Sequence, residues 1–127
     1  MIKVKRKNGF EKYLTQENKF QRAVAQWLDM QHPNLLWWHT PNEGKRSNFE
    51  RWLAKILGMR AGVSDIVILQ PNKSFHGIVM ELKVGKNKCT PAQSKFLQQA
   101  QHLQYYACTC YSIDEVINVV NSYCADV

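Results

Sequence analysis

The chain has 127 residues, 45% of them hydrophobic and 21% charged, with a formal net charge of +7. Such a chain forms one globular domain, leaves no room for a second full core, and is not disordered as a whole. No apolar stretch approaches the roughly 18 residues that cross a bilayer, and the positive surplus favours a polyanionic partner.

The N-terminal run M-I-K-V-K-R-K-N-G-F carries no apolar signal core, which argues against secretion. Residues 1–12 read as a basic arm ahead of a single domain over residues 13–127. Thr15 is placed to cap a helix reaching Met30, in which Phe20, Val24, Trp27 and Leu28 recur at helical spacing. Pro33 and Asn34 end it. The aromatic run Leu35 to Thr40 fits a strand, and Pro41 to Gly44 turns the chain. Ser47 caps a second helix whose apolar stripe is Phe49, Trp52, Leu53, Ile56 and Leu57, with Gly58 as its stop.

Ile66 to Leu69 and Ile78 to Leu82 are short, mostly apolar strands joined by Q-P-N-K-S-F-H-G. Thr90 caps a third helix, with Pro91 at its first position. Tyr105 to Tyr111 reads as another strand. The last helix opens on S-I-D-E, a capping box at Ser112 with its acidic residues in the first turn. The order αβαββαβα predicts an α/β fold, a small mixed central sheet flanked by helices. Trp27, Trp37, Trp38 and Trp52 all fall on expected core faces. Cys89, Cys108, Cys110 and Cys124 lack paired C-x-x-C spacing, so free thiols in a reducing cytoplasm are expected rather than zinc ligands or disulfides.

The chemistry concentrates between Gly58 and Lys83. A lone aspartate at a strand start, such as Asp65, is usually a cap or a turn residue. Glu81 and Lys83 alternate with Leu82, so both face one side of their strand after the apolar Ile78, Val79 and Met80. Charges so placed need partners or a metal. A structural Glu81–Lys83 ion pair is one answer. The other is hydrolysis assisted by a magnesium or manganese ion. Magnesium keeps several waters and needs few carboxylates, here Asp65 and Glu81 with the backbone carbonyl of Leu82. Lys83 would then orient or help deprotonate the attacking water.

Four blocks in this order resemble the PD-(D/E)XK nuclease superfamily, and within it the VRR-NUC domain of the small stand-alone kind found in phages and bacteria. They are H-T-P-N-E-G-K-R-S from His39, G-M-R-A-G-V-S-D ending at Asp65, M-E-L-K ending at Lys83, and T-P-A-Q-S-K-F-L from Thr90. The similarity covers about residues 15–124. Ser64 departs from it, since the family more often has proline before the metal-binding aspartate.

The resemblance implies a restriction-endonuclease-like fold and a catalytic trio of Asp65, Glu81 and Lys83. It also implies an acidic residue on the first helix, which Glu17 matches, and a glutamine after the E-L-K strand, which Gln93 matches. Both have plainer roles available, a favourable helix-dipole position for Glu17 and a solvent-facing helix position for Gln93. Asn42, Lys45, Arg46 and Arg60 are candidates for DNA contact, and His39 is a block member without a clear role.

Stand-alone members are implied to be homodimers that cleave branched DNA such as four-way (Holliday) junctions, and a two-fold dimer suits a two-fold junction. The aromatic strand near Trp37 and the terminal helix are the candidate dimer surfaces. A structure-nonspecific or flap-cleaving nuclease, and a DNA-binding module without turnover, remain open.

Overall fold

The computed structural model describes residues 9–41 and 46–127. Within them a 3-10 turn at Glu11–Tyr13 precedes α1 (Gln16–Gln31), β1 (Trp37–His39), α2 (Asn48–Ile56), β2 (Ile66–Ile68), β3 (Ile78–Leu82), α3 (Pro91–His102), β4 (Tyr106–Cys110) and α4 (Ile113–Ala125). The eight regular elements follow the expected order. The 3-10 turn is an addition: Glu11 and Lys12 belong to it rather than to an extended arm, and Glu11 Oε1 pairs with Arg22 at 3.3 Å. The rest of the basic arm, residues 1–8, lies outside the described residues.

Each anticipated cap operates. The hydroxyls of Thr15, Ser47, Thr90 and Ser112 accept from the backbone N–H three residues on, satisfying donors that a helix start leaves unpaired. α2 closes at Gly58, whose φ of +96° suits glycine. The N–H of Met59 there donates to Ala54 O, and that of Gly58 to Lys55 O, the paired bonds of a Schellman end.

The fold is α/β, with a four-stranded sheet in the order β1-β2-β3-β4. β1, β2 and β3 are antiparallel neighbours, whereas β4 runs parallel to β3, so α3 makes the crossover between them. One face carries Ile66, Ile68, Ile78, Met80 and Cys110 against Val24 and Leu28 of α1 and Val116, Val120 and Tyr123 of α4. The other carries Val67 and Val79, covered by Phe96, Leu97 and Ala100 of α3. With helices on both faces, β2 and β3 are apolar throughout instead of alternating.

Two expectations about the core do not hold. α2 has no buried residue: Phe49, Trp52, Ile56 and Leu57 are 65%, 55%, 57% and 72% exposed. Among the described residues, α2 packs against no other helix or strand. Trp52 is therefore a surface residue, and so is Trp38 at 45% exposure on the edge strand. Helical periodicity reports that a face is apolar, not what covers it. Trp27 and Trp37 do pack against the core, partly buried. The four cysteines are free thiols. No helix among the described residues is long and apolar enough to cross a membrane.

Candidate active site

Strand pairing brings the two carboxylates together. Ile66 pairs with Met80 in the antiparallel β2–β3 register, so the next position sets Asp65 across from Glu81. Backbone bonds anchor Asp65 where β2 begins: its carbonyl accepts from Thr40 N at 2.8 Å and from the Nδ1 of His39 at 3.0 Å. Its carboxylate Oδ2 accepts from Leu82 N at 2.8 Å. Fully buried Ser64 satisfies its hydroxyl locally by donating to Ile66 O at 3.3 Å.

Glu81 is only 2% exposed, and three neighbours define its state. Oε1 accepts from Gln93 Nε2 at 3.1 Å and lies 4.0 Å from Lys83 Nζ. Burial, then the hydrogen bond and negative charge of Asp65, push the Glu81 carboxyl up to about 8, while Lys83 pulls it down. Metal-free Glu81 therefore holds its proton near neutrality. Its Oε2 is buried and receives no hydrogen bond from a donor, and the proton that Glu81 holds is shared with the Asp65 carboxylate.

Gln93 is oriented from both ends. Thr90 N donates to Gln93 Oε1 at 2.8 Å, and Gln93 N donates to Thr90 Oγ1 at 3.2 Å, a reciprocal capping box. With its amide oxygen engaged by Thr90, its NH₂ is left for Glu81. The T-x-x-Q spacing was a legible signal that sequence reasoning, which treated Thr90 and Gln93 separately, did not combine. Gly62 adds a brace: at φ +78°, it lies so close to the backbone of Ala92 and Gln93 that a Cβ there would collide with both.

A cavity of about 160 Å³ opens at this end of the sheet, lined among others by Glu17, Gln21, His39, Asp65, Glu81 and Lys83. Glu17, exposed in the first turn of α1, is thus brought to the carboxylates from the far end of the sequence. Leu82 also lines the cavity. Gln21 is the residue that sequence reasoning passed over, although it lies four residues after Glu17 and hence on the same helix face.

Of the DNA-contact candidates, Arg46 and Arg60 stay outside the cavity lining. Arg46 Nη1 donates to Met59 Sδ at 3.6 Å, and Arg60 is exposed after α2. Asn42 and Lys45 lie outside the described residues.

A hard divalent cation fits what is present. Two opposed carboxylates supply oxygen ligands, and their mutual repulsion, which raises the Glu81 carboxyl, is what a bound cation would relieve. Among the described residues no three His, Cys, Asp or Glu side chains form a closed metal cage.

A family model described as the VRR-NUC domain matches residues 15–114. A solved structure described as a VRR_NUC domain protein superimposes with a TM-score of 0.75 at 25% sequence identity, over 89% of this chain and 91% of that one. No curated protein matches the sequence significantly.

Proposed function

The chain belongs to the VRR-NUC family of nucleases acting on DNA, and on that premise we propose that it is a metal-dependent endodeoxyribonuclease, working as a homodimer on branched DNA such as four-way junctions. The observation that carries the metal-dependent reading is the Asp65–Glu81 pair, opposed across two strands where both residues line the cavity. Asp65, Glu81 and the Leu82 carbonyl would hold magnesium or manganese, which polarises the scissile phosphate and lowers the pKa of a water.

The protein's own groups set the stage for that chemistry. Leu82 N and Gln93 Nε2 each fix one carboxylate oxygen, so neither side chain needs to reorganise when charge develops. Lys83, half-buried beside Glu81, offsets negative charge there and stands ready to orient the attacking water. Glu17, at the exposed edge, adds a further carboxylate.

Two-fold pairing is supported by α2. A nine-residue helix that buries no residue and leaves Phe49, Trp52 and Ile56 exposed, with only Leu53 and Ala54 half-buried, is an incomplete structure. A stable interface buries upwards of about 1,000 Å² in total, and two α2 faces together with exposed Trp38 offer large apolar side chains for it. The terminal helix is a weaker candidate, because Val116, Val120 and Tyr123 are already committed to the core.

The test is cleavage of a labelled four-way junction beside duplex, single strand and flap, in magnesium, manganese or chelator, by wild type and Asp65→Asn. Cation-dependent cuts confined to the junction and lost in the variant are expected. Equal cutting of all forms would replace junction cleavage by a structure-nonspecific nuclease. DNA binding without any cutting would point to a binding module.

A further inference from the structure

Two side-chain polar atoms among the described residues are buried and meet no complementary donor or acceptor while Glu81 is ionised, and both belong to residues lining the same cavity: Glu81 Oε2 and Gln21 Nε2. They are complementary. The amide nitrogen offers a hydrogen and has no lone pair to give, whereas the oxygen of Glu81, once a bound cation has displaced its proton, offers lone pairs. A buried donor left without an acceptor is costly, so a fold that retains one at a reaction site keeps it for an oxygen that arrives later. A single group that meets both atoms must accept from one and donate to the other. Water does this; a non-bridging phosphate oxygen only accepts.

We infer that Gln21 is a positioning residue for the attacking water, its Nε2–H occupying one lone pair of that water within the cavity. This rests on the nuclease reading above. It assigns α1 a second task beside presenting Glu17. Phe20 and Val24 anchor the helix on the core, and Gln21, on the same side as Glu17, is held at the cavity wall. Once that water gives up a proton to solvent, the hydroxide has lone pairs for Gln21, for a cation and for phosphorus. A carboxylate oxygen accepts more than one partner, so the assignment does not displace a cation from Glu81.

Gln21→Met tests it, since methionine keeps the length and removes the donor. In chelator the variant should melt at or above the wild-type temperature, because an unpaired polar group has been removed. With magnesium its kcat should fall at least tenfold at an unchanged KM. Its affinity for DNA in calcium, without turnover, should stay within twofold of wild type. A kcat within twofold of wild type, or a kcat loss accompanied by a fall of several degrees in Tm, would overturn the inference in favour of a bland or structural role. A tenfold loss of DNA affinity would overturn it in favour of a phosphate contact. If the wild type itself cuts nothing, the nuclease reading fails instead, and the chelator melting comparison still decides whether Gln21 carries an unmet donor.

Discussion

The backbone amide of Leu82 donates to Oδ2 of Asp65 at 2.8 Å, so the aspartate before one strand is tied to the backbone at the end of the next. One oxygen of Asp65 is occupied in this way and one of Glu81 is occupied by Gln93. Each carboxylate is oriented by a neutral donor.

Asp65→Asn preserves an acceptor for Leu82 N, and Glu81→Gln preserves side-chain volume. Both should fold, bind DNA nearly as wild type, and lose cleavage by at least about a hundredfold, the upper scale for even the outer partners of a metal site. Nicking assays in magnesium, paired with gel-shift titrations in calcium, check this. Cleavage retained by either variant would remove the carboxylates from the chemistry.

Lys83→Ala should reduce turnover by about 10²-fold or more if the ammonium assists proton transfer, with a smaller change in cation affinity. Single-turnover rates against magnesium concentration separate the two effects. An unchanged maximal rate would confine Lys83 to a structural ion pair with Glu81.

The raised Glu81 carboxyl makes metal-free stability pH-dependent with a definite sign. Its ordinary value is 4.5 and its folded value about 8, so between these pH values the folded chain holds a proton that the unfolded chain releases. The Glu81 contribution is therefore fully present below about pH 4.5 and lost as pH rises through 8. In chelator, urea midpoints should fall from pH 5 to pH 8.5, and Glu81→Gln should flatten that slope. Stabilisation by magnesium should grow over the same range, because binding displaces the proton.

Gly62→Ala should be strongly damaging although the residue lies outside every helix and strand. A side chain at its positive φ costs about 1–2 kcal/mol, and the new Cβ would run into the Ala92–Gln93 backbone. The resulting shift of Gln93 should loosen Glu81, so both Tm and kcat should drop. A variant with normal Tm and normal kcat would show that the brace is dispensable.

Trp52→Lys should leave the monomer's Tm within a few degrees of wild type, since nothing packs on this side chain in the core. If α2 faces pair, the same change should turn a dimer into a monomer by light scattering and abolish paired nicking of a junction. An unaltered dimer would move the interface elsewhere.

Where chemistry and spacing are local, the sequence made the fold legible. Thr15, Ser47, Thr90 and Ser112 announce the helix starts because capping is a three-residue interaction. Ile78 to Leu82 announces a strand because it is buried on both faces. The E-L-K ending and Asp65 could be paired because antiparallel neighbours joined by a short loop bring such ends together. Trp52 and Trp38 were misplaced because burial depends on what arrives from elsewhere in the chain, and over α2 no helix or strand of the described residues does. Gln21 was invisible for the same reason: its meaning depends on Glu81, sixty residues away.

The groups that fix Asp65 and Glu81 are unequal in their reach along the chain. Gly62, Asp65, Glu81, Leu82 and Gln93 form one short stretch, whereas Glu17 and Gln21 must close a much longer loop to reach it. Loop closure favours near contacts over distant ones. The contacts among β2, β3 and the start of α3 therefore cost less chain entropy to close than those by which α1 walls the cavity.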